Sequence, residues 1–151
     1  MNKPQHPTGI IVVDHGSRRQ ESNTALLSIV DRFAQSGPFT IVEPAHMELA
    51  EPTISTSFNR CVEQGAKRVI IHPFFLLPGR HWHDDIPALA ARAAEKHPNI
   101  PYLITAPVGL DERLIDAMHH TIEQCWNHTS GKGDPCKACE TTTPCGFVGQ
   151  K

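Results

Sequence analysis

Four short apolar segments alternate along the chain with segments of helical periodicity, and this alternation constrains the fold more than any other feature. The first apolar segment, residues 9–13, reads GIIVV and contains no alternating polar residues. A strand of this composition is expected to be buried on both faces, as in a parallel sheet. In the helical segment that follows, apolar residues recur at spacings of three and four from Ala25 to Phe33. Such alternation favours an α/β fold with right-handed crossovers.

The same patterns predict four strand–helix pairs and then a segment of different composition. The predicted strands are residues 9–13, 39–46, 67–76 and 100–106, and the predicted helices are residues 22–36, 51–64, 87–94 and 111–127. Pro52 is placed in the first turn of the second helix, and the polar segment 78–85 is predicted to be a loop. The predicted organisation is a flexible N-terminus at 1–8, one domain at 9–127 and a cysteine-rich tail at 128–151.

Composition excludes several classes of protein. The chain has 151 residues, 39% of them hydrophobic and 20% charged, with a formal net charge of −2. These values argue against a disordered chain and against a broadly basic nucleic-acid binder. The longest apolar runs are far shorter than the roughly 20 residues that a membrane span requires. No secretory signal is recognised and the cysteine count is odd, so we expect a soluble cytoplasmic protein; a plastid stroma location after removal of a transit peptide also stays open.

Histidine and carboxylate side chains follow the predicted strands at their carboxyl ends. His15 comes after the first strand, Glu48 after the second, and His81 after the third. In parallel α/β folds these ends share one edge of the sheet, and ligands bind there. Imidazole and carboxylate groups bind transition metals and accept protons near neutral pH. We therefore predict a metal or acid–base site at this edge, and we interpret most of the other histidines as ordinary surface or packing residues.

Three motifs in order carry a family resemblance. They are DHGSR at 14–18, AHMELAEP at 45–52, and PFFLLPGRH at 73–81 followed by DIP at 85–87. Together they resemble the short, single-domain sirohydrochlorin chelatases, the class II enzymes that insert cobalt or iron into this anionic tetrapyrrole. The resemblance implies a chelatase-like three-layer fold, with a four-stranded parallel sheet flanked by helices.

The resemblance also implies roles for individual residues. His15 and His81 are expected to hold the divalent metal substrate, Fe2+ or Co2+, and Glu48 to complete the metal site or to accept a pyrrole proton. Metal insertion exchanges two pyrrole protons for one ion, which calls for a weakly held metal and a base. The groups expected to meet the substrate carboxylates are the backbone N–H groups of the glycine turn, Ser17, Arg18 and Arg80. No ATP or added cofactor is expected, and a chain of this length is expected to form a homodimer.

Several neighbouring residues receive a secondary interpretation. We expect four of them, His46, His83, Asp84 and Asp85, to support the metal site or to form an entry path. Core packing, rather than contact with the macrocycle, is predicted for Phe75, Leu76 and Leu77, and also for Cys61. Arg19 is interpreted as a solvated charge. The choice among iron, cobalt and nickel is left open, because histidine and carboxylate ligands accept all three.

The tail concentrates three of the five cysteines. Cys136, Cys139 and Cys145 form a C-x2-C-x5-C pattern, to which Cys125 could add a fourth thiolate. A C-x-x-C pair is typical of a zinc site, an iron–sulfur cluster or a redox disulfide. The tail also resembles the C-terminal extension of plant-type short ferrochelatases, which implies an iron–sulfur cluster. Free cysteines in a disordered tail are the alternative.

Two other functions stay open. A non-catalytic metal carrier or sensor would use the same histidines and the cysteine tail for storage. A histidine phosphatase would place its phosphohistidine after the first strand, as His15 is placed here. That family has arginine immediately before its histidine, whereas this chain has Asp14, whose carboxylate would repel phosphate.

Overall fold

The computed structural model describes residues 6–135, and these residues form four strands and four α-helices. The strands are β1 (Thr8–Asp14), β2 (Ile41–His46), β3 (Arg68–Pro73) and β4 (Tyr102–Ile104); the helices are α1 (Gln20–Ser36), α2 (Ile54–Glu63), α3 (Ile86–Glu95) and α4 (Arg113–Thr129). A π-helical turn, His81–Asp85, leads directly into α3. The chain divides into two units after Leu110, and the sheet belongs entirely to the first.

All strand pairs are parallel, and the strand order is β2-β1-β3-β4. The connection from β1 to β2 runs towards one edge of the sheet, whereas the chain after β3 runs towards the other. The switch point, where ligands bind in folds of this type, therefore lies between the carboxyl ends of β1 and β3. Pro44 is accommodated because β2 is an edge strand, where a ladder hydrogen bond can be lost.

The apolar run in β1 is explained by burial on both faces of the sheet. Ile11 and Val13 pack on the side covered by α2 and α3, in a cluster around the fully buried Phe58. Ile10 and Val12 pack on the opposite side against α1. Burying each such side chain contributes about 1.5 to 3 kcal/mol to the free energy of unfolding. The first unit is therefore a sheet between helical layers, and the predicted fold class is confirmed.

Two details of the predicted elements are wrong. Pro52 lies before α2 rather than in its first turn, after a cis peptide bond with Glu51. The helix is capped instead by Thr53, whose Oγ1 accepts the Thr56 N–H at 3.2 Å. Residues 81–85 are helical rather than a loop; the Gly79 carbonyl accepts the N–H groups of the second and third of these residues, both at 3.0 Å.

The second unit contains α4, which begins and ends two residues later than the sequence predicts. Asp111 precedes it, and its carboxylate accepts the backbone N–H of Arg113 at 2.9 Å and the guanidinium at 2.8 Å. These bonds hold the pKa of the Asp111 carboxyl well below its usual range. Among residues 6–135, no helix is long and apolar enough to cross a membrane.

Candidate active site at the carboxyl end of the sheet

The loop after β1 is shaped by Gly16, which has a φ of +85°. The Gly16 N–H donates to the Asp14 carboxylate at 2.9 Å, which closes a tight turn around His15. A Cβ atom at position 16 would lie 1.9 Å from the Glu48 carbonyl oxygen. Only glycine tolerates both this φ and this close approach, so Gly16 allows the loops after β1 and β2 to touch.

The loop after β2 continues the parallel ladder one step beyond the strands. The Met47 N–H donates to the Asp14 carbonyl at 2.9 Å, and the Glu48 N–H donates to the His15 carbonyl at 3.2 Å. This pairing sets His15 beside Glu48, with 3.2 Å between His15 Nε2 and Glu48 Oε1. Both side chains are about half exposed, at 46% and 53%. The imidazole and carboxylate therefore meet at an accessible place.

His81 reaches the same place from the π-helical turn after β3. Its ring centroid lies 4.9 Å from that of His15, in an edge-to-face arrangement. Its Nδ1 lies 2.7 Å from Asp85 Oδ2. An open cavity of about 340 Å³ is lined by Glu48, His81 and Asp85, and also by Arg92 of α3. The structure thus brings together the three predicted residues, here called the His15–Glu48–His81 cluster.

The cluster is not a closed metal cage. Within the described residues, no three His, Cys, Asp or Glu side chains converge in a ready-made metal-binding arrangement. His15 is close to both of its partners: its Nε2 lies 3.2 Å from Glu48 Oε1, and its ring centroid lies 4.9 Å from that of His81. The arrangement is therefore an open set of nitrogen and oxygen donors, in contrast to the closed four-ligand sites that hold structural metals.

The glycine turn makes several hydrogen bonds within the protein. The Gly16 N–H is engaged by Asp14, and the Ser17 N–H donates to Asn23 Oδ1 at 3.0 Å. The Ser17 hydroxyl accepts the Arg19 N–H at 3.0 Å. These hydrogen bonds hold the loop between β1 and α1 in its conformation.

Arg18 and Arg80 are the two predicted anchors for substrate carboxylates. Both side chains are exposed, and both residues are close in sequence to a histidine of the cluster. Within residues 6–135 neither guanidinium takes part in an ion pair. Leu76 and Leu77 are 61% and 77% exposed, so the prediction of core packing is wrong for them. Phe75, in contrast, packs against the core.

The pairing of His46 with Asp14 is not predicted from the sequence. His46, at the end of β2, is 1% exposed, and its Nδ1 lies 2.6 Å from Asp14 Oδ1. This burial excludes an entry-path role for His46. Asn23 is also missed; it is buried at 6%, and its amide accepts from and donates to the Ser17 backbone. Its signal in the sequence is a polar residue three positions before Leu26, on the otherwise apolar stripe of α1.

Two of the remaining predicted residues, His83 and Asp84, do not belong to the cluster. His83 and Asp84 are exposed on the π-helical turn, and neither lines the cavity beside His81. His72 donates to or accepts from Thr105 Oγ1 at 2.7 Å, and burial lowers the pKa of its imidazole.

The tail prediction concerns Cys136, Cys139 and Cys145, which lie outside the described residues. Cys125, its proposed fourth member, lies in α4.

Comparison with known proteins identifies the family. Residues 9–125 match the CbiX family. The chain is 54% identical over 137 residues to the chloroplastic sirohydrochlorin ferrochelatase of Arabidopsis thaliana, covering 91% of this chain and 61% of that protein. It is 35% identical over 115 residues to the sirohydrochlorin ferrochelatase of Priestia megaterium, covering 76% of this chain and 43% of that protein. The chain therefore spans less than two thirds of the length of these relatives.

Solved structures agree with this match. The sirohydrochlorin chelatase SirB from Bacillus subtilis subspecies spizizenii, in complex with cobalt, superposes with a TM-score of 0.73 at 34% identity. The superposition covers 77% of this chain and 50% of SirB. The resemblance predicted from the order of the three motifs is confirmed, and the chain belongs to the CbiX family.

Proposed function

We propose that this protein inserts a divalent metal ion, Fe2+ or Co2+, into sirohydrochlorin. The observation that carries the proposal is the 3.2 Å separation of His15 Nε2 from Glu48 Oε1, with the His81 ring beside them at the switch point of the sheet. The two relatives named above are sirohydrochlorin ferrochelatases, and the SirB structure holds cobalt. Donor chemistry and family membership therefore support the same reaction.

The spacing of the donors suits a shared metal substrate. Two ligand atoms, each about 2.1 Å from one ion, lie about 3.0 to 3.4 Å apart for bond angles between octahedral and tetrahedral values. The His15–Glu48 distance of 3.2 Å falls in this range. His81 offers its Nε2 as a third ligand, because its Nδ1 is engaged by Asp85. We assign metal binding to His15, Glu48 and His81.

The chemistry requires that the metal be released. Insertion breaks two pyrrole N–H bonds and forms metal–nitrogen bonds to the macrocycle, so one M2+ enters and two protons leave. Half-exposed nitrogen and oxygen ligands suit delivery of the ion better than a closed thiolate cage, which holds its metal firmly. Glu48 is the carboxylate of the cluster, and as the metal leaves it becomes available to accept a pyrrole proton.

The carboxylates of sirohydrochlorin need cationic partners around this site. Arg18 and Arg80 are assigned this role because they are exposed, lie in the two histidine-bearing segments, and take part in no ion pair within residues 6–135. A guanidinium can bind a carboxylate through two parallel hydrogen bonds. Ser17 is assigned a supporting role, since its hydroxyl can donate to a substrate while it accepts the Arg19 N–H.

The proposal extends to the oligomeric state, the location and the tail. The resemblance to the single-domain chelatases supports a homodimer of two copies of this chain. The chloroplastic location named for the Arabidopsis thaliana relative supports a plastid location rather than the cytoplasm. We also propose that the reaction proceeds without ATP. An iron–sulfur cluster or zinc is proposed at four cysteines: Cys125, Cys136, Cys139 and Cys145.

An anaerobic insertion assay tests the proposed reaction. Wild-type protein is expected to accelerate the absorbance change of sirohydrochlorin with Fe2+ or Co2+ and to turn over many times. The His15→Ala/His81→Ala double variant should lose this acceleration, whereas His83→Ala, on the same turn but outside the cluster, should retain it. A double variant as fast as wild type would overturn the site assignment. Stoichiometric metal binding without turnover would instead favour a metal carrier.

A further inference from the structure

Asp85 and His81 form a pair at the two ends of the π-helical turn. His81 Nδ1 lies 2.7 Å from Asp85 Oδ2, and the two side chains are 48% and 37% exposed. An ionised carboxylate can only accept hydrogen bonds, so Nδ1 of a neutral His81 carries the proton and Nε2 carries the lone pair. We propose that Asp85 is a positioning residue that holds His81 in this tautomer with Nε2 presented to the metal. The inference rests on the proposed role of His81 as a metal ligand.

The backbone fixes the geometry of this pair at both ends. The Ile86 N–H donates to the His81 carbonyl across five residues, which defines the π-helical turn. Ile86 itself is fully buried, so the residue next to Asp85 is anchored by packing in the core. Near the other end, the Trp82 indole N–H donates to the Thr105 carbonyl at 3.0 Å. The separation of His81 from Asp85 is therefore set by anchored backbone.

A carboxylate partner changes what an imidazole ligand can do. A hydrogen bond from the distal N–H fixes the ring orientation and increases the basicity of the metal-binding nitrogen. Removing such a partner typically lowers metal affinity or activity by about 10- to 100-fold. Because Asp85 also lines the cavity beside His81 and Glu48, its charge is near the proposed ion without being needed as a direct ligand.

The neighbouring Asp84 provides a matched control. It carries the same charge on the same turn, is exposed, and does not line the cavity. Replacing Asp84 or Asp85 by alanine changes the net charge equally, but only the second change removes the partner of His81. Asp85→Asn is the conservative variant, because its side-chain oxygen can still accept the Nδ1–H bond.

The tautomer can be measured directly on metal-free protein. Long-range 1H–15N correlation spectra of the neutral imidazole distinguish Nδ1–H from Nε2–H. Wild type, Asp84→Ala and Asp85→Asn should have His81 in the Nδ1–H form, and Asp85→Ala should shift it towards the Nε2–H form. Wild-type protein with a proton on Nε2, or an Asp85→Ala spectrum like that of wild type, would overturn the inference.

Titration with Co2+, followed by visible absorbance, tests the consequence for binding. Asp85→Ala should weaken binding by about 10- to 100-fold, Asp85→Asn by less, and Asp84→Ala not measurably. Equal losses for Asp84→Ala and Asp85→Ala would attribute the effect to charge alone and overturn the inference. If His81→Ala weakens binding and Asp85→Ala does not, only this inference fails. If His81→Ala has no effect, the proposed ligand set fails as well.

Discussion

Gly16→Ala tests whether close contact between the β1 and β2 loops builds the site. The new Cβ would lie 1.9 Å from the Glu48 carbonyl oxygen, whereas ordinary contacts begin at 3.4 Å, so one loop must move by about 1.5 Å. The positive φ of +85° adds strain of about 1 to 2 kcal/mol. A displacement of this size would disrupt the 3.2 Å spacing of His15 Nε2 and Glu48 Oε1.

Because misplacement by 1 Å can cost about 100-fold in rate, kcat/KM for metal insertion should fall by at least about 100-fold in Gly16→Ala. Urea unfolding should report a loss of more than about 1 to 2 kcal/mol. Gly65→Ala is the matched control: its φ is +95°, but a new Cβ there meets no atom within 4 Å. Gly65→Ala should lose only the stability that corresponds to the strain of a positive φ, about 1 to 2 kcal/mol, and should keep its activity. A Gly16→Ala enzyme within a few-fold of wild type would refute the reasoning.

Three further predictions concern groups that are not proposed as metal ligands. His46→Leu removes the imidazole hydrogen bond to the Asp14 carboxylate, which keeps the Gly16 N–H, and should lower the free energy of unfolding in urea by about 1 to 3 kcal/mol; an unchanged midpoint would contradict this. Burial, helped by the charge of Glu43, raises the pKa of the Cys61 thiol to about 12, so mass spectrometry should find Cys61 alkylated only after unfolding. Burial lowers the pKa of His72, so the unfolded state binds more protons just below the ordinary value of 6.5, and stability should fall on acidification through that value. His72→Gln should reduce this pH dependence in urea titrations, and an unchanged slope would argue against His72 as its source.

The predictable features of the fold are those that follow from local hydrophobic patterns and from the topology of a parallel sheet. The uninterrupted apolar run of β1 indicates burial on two faces, and Ile10 and Ile11 indeed pack on opposite sides of the sheet. The convergence of His15 and His81 follows from parallel strands whose carboxyl ends share an edge. Neither inference depends on knowing which side chains touch.

The missed features depend on partners that are distant in sequence or on small differences in backbone geometry. The Asp14–His46 pair joins residues 32 positions apart, and no local pattern indicates which carboxylate a buried histidine will meet. The π-helical turn is obscured by Pro78 and Gly79, which are typical of loops. Leu76 is apolar yet exposed, because the strand ends at Pro73 and the chain leaves the core.

Anomalous scattering from a crystal loaded with Co2+ tests the central claim most directly. The account predicts a cobalt peak within bonding distance, about 2.1 Å, of His15 Nε2, Glu48 Oε1 and His81 Nε2. The same peak should be lost or strongly reduced in the His15→Ala/His81→Ala variant. A crystal with cobalt bound elsewhere on the chain and none at the His15–Glu48–His81 cluster would contradict the assignment of the metal-delivery site.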